Sequence, residues 1–201
     1  LLRLDFLTFV LTARCNLACS YCRQYHRPVD MTPDILDRAV DFFAPTLNPG
    51  AVVNFTGGEP LLAFSLIKRA VTRLNGWDVR FALATNGTLV TPEIAGFLDF
   101  HQFTILLSWD GPLQAQQRGN SLQVTRTVRR LLSSRGTRLE TNTVITPESV
   151  HFLASTLRWI HAAGITAMHV TPDRAAHWTC PALEELTRQL TLAGCRKDGR
   201  S

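Results

Sequence analysis

Apolar positions along this chain follow two rhythms that take turns. Compact apolar runs, rich in β-branched and aromatic residues, occupy positions 5–12, 51–55, 78–84, 103–107, 137–145 and 165–170. They are too short for typical helices and predict buried strands. Between and after them, apolar residues return every three or four positions. That spacing predicts amphipathic helices over about 33–43, 62–74, 92–100, 121–134, 147–163 and 183–192. Thr32-Pro33-Asp34 and Thr91-Pro92-Glu93 mark two helix starts. Each places a capping threonine before a proline at the first helical position and an acid at the positive end of the helix. Ile35, Leu36, Ala39, Val40 and Phe43 mark the expected buried face of the first helix, and Asn48-Pro49-Gly50 reads as a loop.

Strand and helix alternate about six times, which predicts parallel βα units joined by right-handed crossovers. The polar and glycine-rich phrases all fall at the C-terminal ends of strands. Cysteines follow the first strand, Gly57-Gly58-Glu59 the second, Thr85-Asn86-Gly87 the third and Ser108-Trp109-Asp110-Gly111 the fourth. In βα folds that edge binds ligands. Six units fall short of the eight of a closed TIM barrel. The expected class is therefore α/β: a partial (β/α)6 TIM-like barrel of parallel strands with outer helices, open on one side. The barrel core is expected over residues 1–172. Residues 173–201 then form a helical tail.

Composition narrows the function classes. Hydrophobic residues make up 45% and charged residues 18% of the 201 positions, enough to bury a core and unlike a disordered chain. The net charge of +5 owes much to Arg126, Arg129, Arg130, Arg135 and Arg138, read as a solvated face, and to Arg196, Lys197 and Arg200 in the tail. Basic and aromatic residues do not interleave, so no nucleic-acid partner is expected. No apolar run approaches the ~20 residues of a membrane span. Leu1-Leu2-Arg3-Leu4-Asp5 has no basic leader character. A cytoplasmic protein without a membrane partner is the expectation.

Cys15, Cys19 and Cys22 concentrate three of the five cysteines in eight residues, which points to metal or redox chemistry rather than a disulfide framework. Three thiolates do not close a four-ligand zinc site. Zinc needs His26, Cys180, Cys195 or another distant residue as its fourth ligand. An iron–sulfur cluster on three cysteines instead leaves one iron open. Tyr21, beside Cys22, either covers that centre or simply packs.

This C-x3-C-x2-C loop resembles the radical S-adenosylmethionine superfamily. Gly57-Gly58-Glu59-Pro60, Thr85-Asn86-Gly87, Ser108-Trp109-Asp110-Gly111-Pro112 with Arg118, and Asn142-Thr143-Val144 resemble its peptide- and protein-modifying subgroup, which includes anaerobic sulfatase maturases. The resemblance spans about residues 5–170. It implies that Cys15, Cys19 and Cys22 hold three irons of a [4Fe–4S] cluster and that S-adenosylmethionine chelates the fourth. Gly57, Gly58 and Glu59 would bind the methionine amino group. Ser108 and Asp110 would lie beside the ribose, and Arg118 would pair with the methionine carboxylate or stand on the surface. Asn86 and Asn142 would face the cofactor, or serve as a turn residue and a core residue. His169, beside Met168, is read as a structural histidine.

The implied reaction is reductive cleavage to a 5′-deoxyadenosyl radical that takes hydrogen from a peptide or protein side chain. A flavodoxin- or ferredoxin-type donor would supply the electron. A small-molecule radical enzyme and a non-catalytic zinc- or cluster-binding βα domain are the alternatives. The sequence departs from the subgroup at Leu113-Gln114-Ala115-Gln116-Gln117, which lacks a histidine, and at Trp109, which is bulkier than usual. Cys180 and Cys195 are too few for an auxiliary cluster, and the Cys195 phrase resembles the start of a truncated extension. No residue declares itself as a catalytic acid or base.

Overall fold

A computed structural model describes residues 3–194. Cys195 and the basic tail lie outside the described residues. Six strands form one sheet in the order β1-β2-β3-β4-β5-β6, with every neighbouring pair parallel. They are β1 Leu4–Thr12, β2 Leu47–Gly57, β3 Val79–Thr85, β4 Thr104–Ser108, β5 Arg138–Ile145 and β6 Ala167–Pro172. The helices are α1 Pro33–Phe43, α2 Phe64–Arg73, α3 Pro92–Phe100, α4 Gln114–Gln117, α5 Ser121–Leu132, α6 Leu153–Ala162 and α7 Cys180–Leu192. Strand order equals chain order, so β1 and β6 are free edges and the barrel is a partial one, open between them.

The two threonine caps form as expected: Thr32 accepts from the Ile35 N–H and Thr91 from the Ile94 N–H. On α1 only Leu36 and Val40 become fully buried; Ile35 is exposed. The helix packs along a narrower stripe than its apolar residues mark. Asn48-Pro49-Gly50 lies within β2 rather than in a loop. Leu47 already pairs with Leu4, and Gly50 N donates to Asp78 O, so the ladder tolerates the proline at the sheet margin. A 3₁₀ turn over Gly111–Leu113 and the short α4 occupy the stretch read as loop before Arg118.

The sheet has two unlike faces. On the helix side Phe9, Val53, Phe55, Leu83, Phe103, Ile105 and Leu107 are buried, and Phe9 and Phe55 stack with ring centroids 6.0 Å apart. Trp109 continues this core, meeting Trp159 edge-to-face at 5.0 Å. The opposite, concave face alternates with it along every strand. Thr8, Asn54, Ala82 and Thr104 form one of its rows, and Ser108, Asn142 and His169 another nearer the C-terminal edge. None of these residues is fully buried. A second apolar cluster of Ile145, Val150, Leu153 and Leu157, packed with Leu186 and Leu190, seats α7 against α6. Among the described residues no helix is long and apolar enough to cross a membrane.

Candidate active site

The chain leaves β1 at Thr12 and returns to α1 through a loop with little regular structure. Arg14 and Asp30 close its base with two charge-assisted bonds of 2.8 and 2.6 Å, and Thr12 Oγ1 donates to Asp30 Oδ1. Between them Cys15, Cys19 and Cys22 turn to one side and line a cavity of about 290 Å³. Gly57, Gly58, Asn86, Ser108, Arg118 and Asn142 line the same cavity, from the ends of β2, β3, β4 and β5 and from the α4–α5 connection. Residues up to 127 positions apart in sequence (15 to 142) therefore meet on one wall. Glu59 and Asp110 do not line it. Both are fully buried behind the wall, where protein groups use up their carboxylate oxygens.

Glu59 Oε1 accepts from Leu61 N and Thr85 Oγ1, and its Oε2 accepts from Asn86 N at 2.8 Å. Burial pushes its carboxyl up, against the pull of those three donors. Asn86, held in this way, donates through Nδ2 to Asn16 Oδ1 at 2.9 Å, and Asn16 Nδ2 donates to Thr88 Oγ1 at 2.8 Å. One flank of the cysteine loop is thus clamped to the end of β3. Asn16 is a site residue that sequence reasoning passed over, because its partner lies 70 positions away.

The other flank is clamped by Asp110. Arg118 Nε donates to Asp110 Oδ2 at 2.7 Å and Arg118 Nη2 to Oδ1 at 3.2 Å. Their side chains are 6% and 0% exposed. Val144 N donates to Oδ1, and the Tyr21 hydroxyl donates to Oδ2 at 3.2 Å. The Arg118 guanidinium lies 5.0 Å from the Tyr21 ring centroid, a cation–π contact. Ser20 N adds a bond to Gln117 O. Tyr21 therefore ties the loop to the ends of β4 and β5. Arg118 reaches the cavity edge, with Nε and Nη2 bonded to Asp110 and Nη1 without a partner among the described residues.

The paired glycines serve the loop as much as the cavity. A Cβ on Gly57 would stand 2.4 Å from Thr12 O, and one on Gly58 2.1 Å from Arg14 O and 2.6 Å from Arg14 C. Gly58 N and Glu59 N donate to those same carbonyls at 2.8 Å. The close backbone approach expected at these glycines is to the cysteine loop itself. Gly58→Ala is expected to push the loop away and destabilise the chain by about 1–3 kcal/mol, the usual cost of overpacking. An unchanged urea midpoint would show that the loop does not pass this close.

The thiols share an environment. Burial pushes Cys15 up; the backbone N–H of Leu17 opposes this, while Glu59 and Cys22 add to it. Burial also pushes Cys19 up, with Arg118 as the main opposing charge. A metal centre would reverse this, since coordination deprotonates thiols outright. His26 Nε2 lies 3.7 Å from Cys22 Sγ on the cavity wall. Among the described residues no three His, Cys, Asp or Glu side chains converge on one metal-ion position. The soft donor set, spread around a cavity that continues to the strand ends, suits a cluster with an open corner and a ligand beside it.

The sequence of this site matches a known family. The model of the radical SAM superfamily matches residues 9–160, about three quarters of the chain. The chain belongs to the radical SAM superfamily. Members of the superfamily use a [4Fe–4S] cluster and S-adenosylmethionine. An uncharacterized protein of Methanocaldococcus jannaschii, MJ0907, is 28% identical over 92% of this chain and 69% of its own length. The AdoMet-dependent heme synthase of Nitratidesulfovibrio vulgaris is 28% identical over 80% of the chain and 46% of its own length. The solved sulfatase maturase anSMEcpe with bound AdoMet superposes with a TM-score of 0.82 at 19% identity, over 92% of this chain and 58% of that one. A second structure of anSMEcpe carries AdoMet and the Cp18Cys peptide, with a TM-score of 0.81 at 19% identity. These likenesses place this chain in the same partial-barrel fold. It spans about half the length of the heme synthase and of the maturase.

Proposed function

We propose that this chain is the radical-generating core of an enzyme that modifies a peptide or protein side chain. One observation carries the reading: three thiols on one loop and polar groups from four strand ends line a single cavity. In this reading Cys15, Cys19 and Cys22 would hold three irons of a [4Fe–4S] cluster, leaving the fourth for S-adenosylmethionine. Backbone groups of Gly57 and Gly58 and the side chains of Ser108 and Asn86 would surround S-adenosylmethionine, with Asn142 lining the cavity on the β6 side. Glu59 and Asp110 act from behind, holding Asn86 and Arg118. When bound, the cluster and S-adenosylmethionine together supply a carbon-centred radical able to take a hydrogen atom from substrate. The protein orients the partners and keeps water away.

The peptide reading is supported by the peptide-bound maturase structure of the same fold. It is also supported by a second, larger cleft of about 630 Å³ that meets the first at Tyr21 and is bounded by Arg23, Glu148 and Asp173. The heme synthase relative favours a small-molecule substrate instead. A zinc site completed by His26 is the non-catalytic reading, favoured by the Cys22–His26 contact.

Anaerobic reconstitution separates these. Four irons and four sulfides per chain, to within about one, are expected. Dithionite reduction with S-adenosylmethionine should then release 5′-deoxyadenosine, and a peptide substrate should raise that release. Zinc retained in place of iron, with no 5′-deoxyadenosine, would sink the radical reading.

A further inference from the structure

On the concave wall just beyond the cavity, β5 and β6 bring together charged groups that the cofactor site does not use. Glu140 on β5 accepts from two sides. Arg138 Nε stands 3.0 Å from its Oε1, and His169 Nε2, on the edge strand β6, stands 2.9 Å from its Oε2. The Glu140 side chain is only 17% exposed, whereas His169 is 56% exposed. His169 pairs with Asn142 across the β5–β6 ladder, and Asn142 pairs with Ser108 across β4–β5. The histidine therefore continues the row in which Ser108 and Asn142 line the cavity, at the open side of the barrel.

The hydrogen bonds fix what this row presents. Thr171 Oγ1 donates to Asn142 Oδ1 at 2.7 Å, which leaves Asn142 Nδ2 as a donor without a partner among the described residues. In the neutral imidazole, a carboxylate on one nitrogen holds the proton there and leaves the other nitrogen as an acceptor. Glu140 takes Nε2, so Nδ1, unbonded among the described residues, is the acceptor. A donor and an acceptor thus stand at paired positions on neighbouring strands. A lone anion would want two donors and a lone cation two acceptors. In an extended peptide the N–H and the C=O of one residue point to the same side and offer one of each.

We propose that Glu140, His169 and Asn142 form a substrate-anchoring subsite that grips the N–H and C=O of one residue of an extended peptide beside the radical site. His169 Nδ1 accepts that residue's N–H and Asn142 Nδ2 donates to its C=O. Glu140 acts through His169 as a positioning residue, and Arg138 holds Glu140. This deepens the peptide reading above and rests on it. Sequence reasoning took His169 for a structural histidine; its exposure and its carboxylate partner argue otherwise.

The test uses the anaerobically reconstituted full chain with S-adenosylmethionine bound, and calorimetry with blocked trialanine, N-acetylated and N-methylamidated. In a second set, ester oxygens replace the amide nitrogens one position at a time. The wild type is expected to bind the peptide and to lose about tenfold in affinity at one ester position, as deletion of one hydrogen bond gives. His169→Phe should erase the penalty at that position only, and Glu140→Gln should reduce it. Failure of the peptide to bind, an equal response at all ester positions, or a penalty that survives in His169→Phe would each overturn the subsite. The same preparations report 5′-deoxyadenosine release separately. Position-specific binding without release would leave the subsite standing and remove the radical reading; release without it would do the reverse.

Discussion

Cys19→Ala is expected to abolish S-adenosylmethionine cleavage and to lower the iron held per chain. The loop offers three thiols to the cavity, and among the described residues no fourth cysteine lines it to take over a vacated corner. Cys19 is also the thiol for which Arg118 supplies the main opposing charge, and it lies between the two clamps on Asn16 and Tyr21. Cys15→Ala and Cys22→Ala should behave alike. Cys180→Ala is the control: the residue is exposed at the start of α7, away from the cavity, and its loss should leave iron content and cleavage unchanged. Iron analysis and 5′-deoxyadenosine quantification decide the matter. Cleavage retained in Cys19→Ala would contradict the ligand assignment.

Arg118→Ala is expected to be among the most destabilising polar substitutions in the chain. It strips a fully buried carboxylate of its bidentate partner, a change that typically costs about 3–5 kcal/mol. For a domain of this size that lowers the melting temperature by roughly 10 °C. The Asp110→Asn, Arg118→Met double variant should recover much of the loss. Neither buried charge remains, the introduced amide oxygen still accepts from Val144 N, and the introduced thioether chain fills the space left by the guanidinium. The Tyr21 hydroxyl can then reorient toward the new amide. Thermal unfolding of both singles and the double gives the coupling energy. Additive losses would show that the pair does not act as a unit. Because Tyr21 hangs on Asp110, the single variants should also hold less iron than the wild type.

The helix caps and strand runs were legible because each is written within a few residues. Thr32 and Thr91 cap as their local sequence dictates, and the buried runs give six parallel strands in chain order. The cysteine loop and its glycine partners were legible for a different reason: their spacing resembles a family. The purpose of the glycines was not. Only the tertiary contact of Gly58 with Arg14 O shows that they admit the loop's own backbone. The buried pair that Asp110 and Arg118 form was likewise not legible from their spacing. Asn16, silent in the sequence, turned out to brace the loop.

The sequence by itself determined the alternation of strand and helix, the edge at which the chemistry gathers, and three thiols in one short loop. All of these are local, because periodicity, capping and spacing act over neighbouring residues. Only the tertiary structure decided which polar residues face the cavity and which stand behind it. It also brought His169 level with Asn142 and within reach of Glu140. Those facts follow from register and burial across strands. A side chain's partners there are fixed by residues 29 to 89 positions away, which no local pattern can reveal.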